Sequence, residues 1–458
     1  MEKITKNGGY NESENILAEL CEKTFLKLWS YPSLFRDDGK GRNGVGKELC
    51  DLLIVFGNDI VIFSDKHITY QINNEEGVAW GRWKRSAIND SAKQLIGTKK
   101  WIKKLPSRIF LDHNCTSVFP FFRGKDISEY NFHLVAIANG LPSEKRIIIN
   151  TSQEELVNFE TQYTFSNEFI HIFDTKAFEN ITKELDTSKD FIDYLNKRKE
   201  TLLNVKNIYC KGEENLLAEY LLREDIPLSV FKSKRGKKIR DCEYMDLINS
   251  HDYKNGKILD KNSYLWDYLI DNIATHLMEG SLITYVDNSL DEKKMVIEKM
   301  ASYDRLSRRE HAMAIMKKYT KTPPLAMSSF LIHSGDHVFS FIITPSLPFK
   351  KKPNMTHEKY INSRLDILQA YCSAWYEEHK CDVVAVITDN LEIPIEHPNE
   401  KLTKLIFQKG ISTLYRKSGE LSQGEKDNLE YIRSYYGILA PKRIVKSEWL
   451  SKQYPDKI

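Results

Sequence analysis

The amino-acid sequence predicts an α/β protein with more than one domain. Segments with apolar residues at helical spacing alternate with short runs dense in Val, Ile, Leu and Phe, and turn residues separate them. The chain has 458 residues, of which 41% are hydrophobic. That length is typical of about two or three domains, and the apolar fraction is sufficient to fill their cores.

Composition argues against several classes of protein. No apolar run approaches the ~20 residues that a membrane-spanning helix needs. The seven cysteines are widely spaced and form no CxxC pair, which argues against a disulfide framework and against a zinc ribbon. The first residues lack the basic start and the apolar core of a signal peptide, so we expect a cytoplasmic protein with no membrane partner.

The first hundred residues predict elements in the order helix, strand, strand, helix, strand. Leu17, Cys21 and Phe25 recur at helical spacing, and a turn of the type Gly-Asn-Asp joins two apolar runs into a hairpin. In chain order the predicted elements are a helix over 13–29, a loop over 32–47, strands over Leu49–Phe56 and Ile60–His67, one long helix or two short ones over Trp80–Lys104, and a strand over Arg108–Leu111.

The remaining residues predict a helical middle region and a second α/β region. Apolar runs indicate strands over His133–Ala138, Arg146–Ile149 and Phe169–Phe173, and helical spacing recurs over 177–203, 213–223, 260–280 and Asp291–Tyr319. In the last third we expect strands over Met327–His333, His337–Thr344 and Asp382–Thr388, with a helix over 356–379. We therefore divide the chain into a domain over 1–205, a mainly helical region over 206–320 and an α/β domain over 321–458.

The last third contains a segment similar to the first hairpin. The segment that begins at Asp51 can be aligned with the segment that begins at Ser328. A long helix and a strand are predicted after each of them. If residues 321–458 are a degenerate repeat, Ser328 stands in place of Asp51, and Ile343 stands in place of Lys66. The alternative is that two unrelated hairpins resemble each other.

Two charged residues of the first hairpin indicate chemistry. Asp51 interrupts an apolar strand, and a carboxylate buried there is unfavourable unless it is paired or binds a cation. Because side chains along a strand alternate between faces, Lys66 shares a face with Ser64 at the end of the second strand. A carboxylate and a lysine that converge in this way suit metal-assisted hydrolysis of a phosphodiester. A structural salt bridge between Asp51 and Lys66 is the alternative.

At these residues the chain resembles the PD-(D/E)xK nuclease superfamily over roughly residues 13–112. The resemblance implies the restriction-endonuclease-like fold, a mixed sheet flanked by helices. In that family a helix with a glutamate precedes a hairpin; its first strand carries an Asp and its second an acid, any residue and Lys. A later helix often adds Gln or Lys. The resemblance implies that Asp51 binds Mg²⁺ (or Mn²⁺), that Lys66 is the catalytic lysine, and that Gln94 or Lys93 is the polar group of the later helix.

The resemblance is incomplete at the second carboxylate. The acid two places before the lysine is replaced by Ser64, and Asp65 is one place away on the opposite face unless a β-bulge turns it round. Asp65, Glu48 or Glu22 is a candidate for a displaced carboxylate; otherwise metal binding is weak or the domain is inactive. The predicted metal ligands are Asp51, Glu22 and Asp65, with catalytic roles for Asp51, Ser64, Asp65, Lys66 and Gln94. For the glutamate of the first helix, Glu14 and Glu19 are alternatives to Glu22.

A basic segment follows the hairpin and predicts contact with nucleic acid. From Val78 to Arg108 there are nine Lys or Arg and one acid, with three tryptophans interleaved as stacking faces. The predicted nucleic-acid-binding residues are Arg82, Lys84, Arg85, Lys93, Lys99, Lys100, Lys103 and Lys104. A second basic cluster lies at 232–240. The alternative is that both are solvated surfaces.

The sequence therefore predicts a magnesium-dependent endonuclease that acts on DNA, and prokaryotic antiviral defence would fit by analogy with the superfamily. The alternative is an inactive nuclease fold that binds nucleic acid or assembles with partner proteins. A third hypothesis is an interaction scaffold whose charges only solubilise it. The sequence leaves open whether the substrate is DNA or RNA and whether it is single- or double-stranded. It also leaves open whether the protein forms a homodimer or associates with a partner defence protein.

Overall fold

The fold is α/β, as predicted. The computed structural model describes residues 12–122, 126–152, 157–223, 237–284, 290–323, 326–334, 336–344, 356–389 and 411–436. It forms two compact units, one over Thr5–Lys254 and one that takes in Asn255–Ile458. Of the three predicted regions, residues 206–254 thus belong with the first and 255–320 with the last.

The first unit begins with the helix–hairpin–helix order that the sequence predicts. Its helices are α1 (Glu12–Trp29), α2 (Lys40–Asn43), α3 (Glu76–Lys84), α4 (Asp90–Lys104), α5 (Thr175–Glu184), α6 (Ser188–Asn204), α7 (Glu213–Arg223) and α8 (Glu243–Asn249). Its strands are β1 (Ser30–Arg36), β2 (Lys47–Phe56), β3 (Asp59–His67), β4 (Ile109–Phe110), β5 (Asn131–Asn139), β6 (Ile148–Asn150), β7 (Thr164–Phe165), β8 (Glu168–Phe173), β9 (Ile208–Lys211) and β10 (Lys237–Lys238). A π-helical turn over Arg85–Asn89 joins α3 to α4.

The described strands of this unit form a mixed sheet in the order β4-β1-β2-β3-β5-β8-β7, and a small sheet in the order β10-β9-β6. In the large sheet β1, β2 and β3 are antiparallel, whereas β3, β5 and β8 run parallel. The parallel step from β3 to β5 requires a crossover, which α3 and α4 supply. The predicted mixed sheet flanked by helices is confirmed.

Different helices cover the two faces of the large sheet. Phe63 of β3 packs against Phe191 of α6, with ring centroids 6.5 Å apart, and Phe25 of α1 packs against the same ring at 5.1 Å. The next residue of β3, Ser64, points the other way and lies 3.3 Å from Ser91 of α4. Successive side chains of β3 therefore enter two separate environments, the α1–α6 face and the α4 face.

The prediction of a loop over 32–47 is wrong, because β1 occupies Ser30–Arg36 and pairs with β2. Pro32 indicated a loop, since proline has no N–H to donate to a sheet. The far side of β1 is paired with β4 only at Phe35 and Arg36, so Pro32 has β2 as its only neighbouring strand among the described residues. The helix predicted over 177–203 is likewise two helices, and Thr187 caps the second of them.

The second unit is also α/β. Its helices are α9 (His251–Glu279, which begins just before the boundary), α10 (Leu290–Ala301), α11 (Arg305–Lys321), α12 (His357–His379) and α13 (Gln423–Tyr436). Its strands are β11 (Ile283–Thr284), β12 (Ser328–Ser334), β13 (His337–Thr344), β14 (Asp382–Asp389) and β15 (Ile411–Arg416), in the sheet order β11-β15-β14-β13-β12.

The two hairpins share more than their sequence pattern. As in β2–β3–β5, strand β12 is antiparallel to β13, β13 is parallel to β14, and a helix connects the parallel pair. The last pair before the turn is Phe56 with Asp59 in the first hairpin and Ser334 with His337 in the second. When these pairs are superposed, Asp51 corresponds to Ser329 and Lys66 to Thr344. The sequence alignment, which used Ser328 and Ile343, is therefore one residue out of register. Neither charged residue has a counterpart in the second hairpin.

Two expectations from composition can be compared with the structure. Among the described residues, no helix has both the length and the apolar character needed to cross a bilayer. All seven cysteines are free thiols, and five of them are buried, as expected for a chain without a disulfide framework. Residues 232–236 of the basic cluster at 232–240 lie outside the described residues.

Candidate active site

The candidate site lies where β2 and β3 separate. Their antiparallel pairing ends at Leu52 opposite Phe63; beyond it β2 continues beside β1, and β3 continues beside β5. Asp51 and Ser64 are the next residues of the two strands. Main-chain groups that no longer bond across the hairpin need other partners, and side chains gain room between the strands.

Asp51 is a buried carboxylate held by uncharged donors. The residue is 8% exposed. Its Oδ2 accepts a 2.6 Å hydrogen bond from the main-chain N–H of Asp65, and its Oδ1 accepts one of 3.3 Å from Nε2 of Gln94. No Lys, Arg or His nitrogen of the described chain lies within 4.0 Å of it. The salt bridge between Asp51 and Lys66, the structural alternative, is not formed.

Neighbouring acids make this carboxylate harder to ionise. Burial raises the pKa of Asp51 to about 6, although the hydrogen bond from the Asp65 amide lowers it, and the charge of Glu14 adds to the rise. Burial also raises the pKa of Glu48 to about 7, and the charges of Asp51 and Glu14 contribute. Three acids on β2 and α1 therefore repel one another at this point of the sheet.

Gln94 joins the two strands from the α4 side. While its Nε2 donates to Asp51, its Oε1 lies 3.4 Å from the hydroxyl of Ser64, which also lies 3.3 Å from Oγ of Ser91. Ser91 in turn donates to the carbonyl of Ala87 at 2.8 Å. Ser64 thus occupies the place of the expected acid and is part of a hydrogen-bonded group that includes Gln94.

Asp65 contributes its main chain to this group, but its side chain lies on the other face. Strand β3 pairs with β5 in unbroken register through Asp65, so no bulge turns the side chain round. The carboxylate accepts a hydrogen bond from Asn139, whose own oxygen accepts one from Thr175. All three line a cavity of about 300 Å³ together with apolar side chains of α1 and α5. The expectation that the Asp65 carboxylate joins Asp51 is thus not met.

The first helix brings a different glutamate to the site from the one expected. The charge of Glu14 raises the pKa of both Asp51 and Glu48. The charge of Glu22 instead raises the pKa of the Cys21 thiol. Eight residues separate Glu14 from Glu22, which is about 12 Å along a helix. Helical phase left Glu14 open as an alternative, and the structure favours it.

Lys66 is the penultimate residue of β3; it lies on the α4 face, two residues after Ser64, and is half-buried. Its charge helps to lower the pKa of Asp90 at the start of α4, after the larger effect of the hydrogen bond from Lys93. Within the described residues its ammonium group makes no hydrogen bond or ion pair. The lysine is therefore on the same face as Asp51 and is available to an anion.

The chemistry of these donors fits a hard divalent cation, although a metal centre is not preformed. Asp51, Glu48 and Glu14 all offer carboxylate oxygens, which Mg²⁺ and Mn²⁺ prefer, and a cation between them would relieve their repulsion. Across the described parts of the chain, however, no three His, Cys, Asp or Glu side chains are close enough together to hold a metal ion. Of the predicted ligands Asp51, Glu22 and Asp65, only Asp51 is placed as expected.

Six of the eight predicted nucleic-acid-binding residues are exposed on the segment from α3 to α4: Arg82, Arg85, Lys93, Lys100, Lys103 and Lys104. The other two serve the fold. Lys84 donates to the carbonyl of Glu160 at 3.3 Å, and Lys99 forms an ion pair with Glu168 at 2.6 Å. A protein–phosphate contact through Lys84 or Lys99 would have to replace these bonds.

The prediction that tryptophans of this segment offer stacking faces is wrong for Trp80 and Trp83. Trp80 and Trp83 are 5% and 1% exposed, and their rings stack on each other at 5.3 Å. Trp101 is half-buried, and the guanidinium groups of Arg36 and Arg108 lie 5.0 Å and 5.5 Å from its ring centroid. Trp80 and Trp83 are therefore closed to a nucleobase, whereas Trp101 is only partly covered by the two arginines.

Sequence reasoning missed Asn139, which connects the two sides of the sheet. Its side chain bonds Asp65 and Thr175, and its carbonyl accepts a 3.2 Å hydrogen bond from Trp83. The sequence signal for it was a polar residue at the end of an apolar strand, just before Gly140. That glycine has a φ of +94°, and a Cβ there would lie 2.2 Å from the carbonyl oxygen of Ile68, so the close approach of the two chains requires glycine.

Comparison with known proteins adds no relative. No protein-family model, curated protein or solved structure matches the chain. A functional assignment therefore rests on the geometry of the chain itself.

Proposed function

We propose that the first unit is a nuclease that hydrolyses phosphodiester bonds in DNA, with Mg²⁺ or Mn²⁺ as its cofactor. The observation that carries the proposal is Asp51. It is a buried carboxylate with a raised pKa and without a cationic partner among the described residues, on the same sheet face as an available lysine. Such a group is unfavourable for folding, and perturbed acids of this kind concentrate at functional sites.

Each residue of the site has a role that follows from its contacts. Asp51 supplies the carboxylate ligand, and Gln94 and the Asp65 amide hold it in one orientation. Lys66 supplies the positive charge that steadies the phosphate as negative charge develops on it. A bound divalent cation would polarise the phosphate and lower the pKa of the attacking water. The resemblance to the PD-(D/E)xK superfamily at Asp51 and Lys66 supports the same assignment.

The test is cleavage of plasmid and linear DNA in Mg²⁺, in Mn²⁺ and in EDTA. We expect Asp51→Asn and Lys66→Ala each to lose about 100-fold or more of the rate. Matched controls are Asp126→Asn, in an exposed loop, and Lys23→Ala, on the exposed side of α1, which should cleave as the wild type does. Equal rates in all five proteins, or no cleavage by a well-folded wild type, would overturn the proposal.

A second candidate function is binding of nucleic acid, or assembly with partner proteins, without cleavage. The observation that favours it is Ser64, whose hydroxyl bonds within the protein where the superfamily has an acid. It predicts salt-sensitive binding that needs neither Asp51 nor a metal ion. Charge reversal at the exposed Lys100, Lys103 and Lys104 should then abolish binding, whereas reversal at Lys99 would also break its pair with Glu168.

A further inference from the structure

The solvent-facing side of α4 presents an ordered row of positive charge. Lys93, Gly97, Lys100 and Lys104 are spaced by four, three and four residues, which places them on one face of a helix, and all four are exposed. Leu95 is buried on the opposite side. The row rises about 16 Å from its first residue to its last. We call Lys93, Gly97, Lys100 and Lys104 the α4 row.

Two lysines of the row have no acidic partner in the described chain, and the third has a weak one. No carboxylate lies within 4.0 Å of Lys100 or Lys104. Lys93 pairs with Asp90 at 2.9 Å, but the lysine is 77% exposed and the aspartate is 44% exposed. Exposed pairs of this kind contribute little and exchange readily with another anion. The row therefore carries net positive charge that the protein does not itself neutralise.

Gly97, in the middle of the row, has no explanation within the protein. Among the common residues only proline is less favourable than glycine in a helix interior. A Cβ at Gly97 would meet no described atom within 4 Å apart from the helix's own backbone, so packing does not require the glycine. Gly81 of α3, next to Arg82, is equally bare. A missing side chain on an exposed charged face allows a ligand to reach the helix main chain.

We infer that the α4 row docks against the phosphate backbone of a nucleic-acid duplex, and that Gly97 is the point where a phosphate approaches the helix most closely. The inference rests on the proposed function, since it names the form of the substrate. It adds a contact surface beyond the Asp51 site. Gln94 lies on the flank of α4 between the row and Asp51, so a backbone docked on the row passes alongside that site.

The tryptophans decide between a duplex and a single strand. Proteins that bind single strands stack the exposed bases on aromatic side chains. Trp80 and Trp83 are buried, and Trp101 is half-buried with the guanidinium groups of Arg36 and Arg108 near its ring, so none of the three presents a fully exposed face for stacking. In a duplex the bases are already stacked on one another, and a row of lysines is sufficient for the backbone.

The decisive variant is Gly97→Ala, because folding and binding should respond in opposite directions. Alanine is the better helix former, so the melting temperature should rise by about 2–4 °C. The added methyl group should hold the phosphate away and weaken duplex binding roughly three- to tenfold. Affinity is measured by fluorescence anisotropy in EDTA on an Asp51→Asn background, with a labelled DNA duplex of about 20 base pairs. The same duplex in RNA and its single strand are the competitors.

Two controls separate the row from general effects. Gly424→Ala changes another bare helical glycine, in α13, and Lys359→Gln removes an exposed lysine of α12; neither should alter affinity. Lys100→Gln and Lys104→Gln should each reduce the slope of log affinity against log salt by about one.

Unchanged affinity in Gly97→Ala, or tighter binding of the single strand than of the DNA duplex, would overturn the inference even if the wild type cleaves DNA. Equal competition by the RNA duplex would support the backbone contact. Weakened binding in Gly97→Ala by a protein that never cleaves would support the row and reject the nuclease.

Discussion

The main-chain N–H of Asp65 donates a 2.6 Å hydrogen bond to Oδ2 of Asp51, although the side chains of the two residues lie on opposite faces of the sheet. The bond takes the place of the hairpin pairing, which ends one residue earlier. It orients the Asp51 carboxylate through a group that every residue except proline possesses. Residue 65 therefore orients Asp51 through its main-chain N–H and not through its side chain.

Asp65→Asn should leave cleavage within about threefold of the wild type, whereas Asp51→Asn should lose about 100-fold or more. Asparagine keeps the N–H that holds Asp51, and its oxygen can accept the hydrogen bond from Asn139. Both variants are assayed for plasmid nicking in Mg²⁺ and Mn²⁺. If Asp65→Asn falls as far as Asp51→Asn, the Asp65 carboxylate takes part directly, and the division of roles between side chain and main chain is wrong.

Ser64→Asp should restore the acid of the superfamily pattern and make the protein more dependent on metal. The new carboxylate would face Gln94 and Asp51, so the free protein should lose about 1–3 kcal/mol of stability to desolvation and like-charge repulsion. A divalent cation should recover that loss and increase cleavage. Melting temperature and cleavage rate are measured with and without Mg²⁺, and Ser64→Ala, which removes the hydroxyl but adds no charge, is the control. A melting temperature insensitive to Mg²⁺ would contradict the prediction.

Glu48→Gln should stabilise the protein at pH 8 and change it little at pH 5. Burial, with Asp51 and Glu14, raises the pKa of Glu48 from 4.5 to about 7 in the folded state. The folded protein thus binds this proton more tightly than the unfolded chain does, so stability falls as the pH rises from about 4.5 to 7. Glutamine stays neutral and avoids a loss of about 1–3 kcal/mol above pH 7.

Thermal unfolding between pH 5 and pH 8 measures this difference, with Glu19→Gln at an exposed position of α1 as the control. Since each kcal/mol corresponds to about 2–4 °C in a unit of this size, the gain at pH 8 is readily measured. An equal change in melting temperature at both pH values would show that packing, and not ionisation, is responsible.

Local patterns predicted the elements that carry the site, because hairpins and amphipathic helices are encoded within a few residues. The hairpin at Gly57 and the helix of Gln94 follow from strand alternation and helical periodicity. Pro32 is tolerated in β1 because β4, which begins only at Ile109, pairs with the end of β1 and does not reach Pro32. An arrangement between segments so far apart leaves no local signal. The burial of Trp83 likewise depends on Asn139, more than fifty residues further along.

The role of individual acids was harder to predict than the elements that carry them. Spacing placed Asp65 on the wrong face for a metal ligand, and the unbroken register with β5 keeps it there. In α1 the choice between Glu14 and Glu22 depends on where the helix crosses β2, a tertiary property that periodicity does not encode. Gln94 could be chosen because helical spacing and the position of the hairpin both place it near Asp51.

Gln94→Ala should shift the pH dependence of cleavage to higher pH without unfolding the protein. The Nε2 of Gln94 donates to ionised Asp51 at 3.3 Å and lowers its pKa, so its loss raises the pKa above about 6. Asp51 then needs a higher pH to ionise, and the rate should fall roughly two- to threefold more at pH 6 than at pH 8. Rates from pH 5.5 to 9 measure the shift, with Gln71→Ala in an exposed loop as the control. An identical fractional loss at every pH would mean that Gln94 acts on the substrate and leaves the ionisation of Asp51 unaffected.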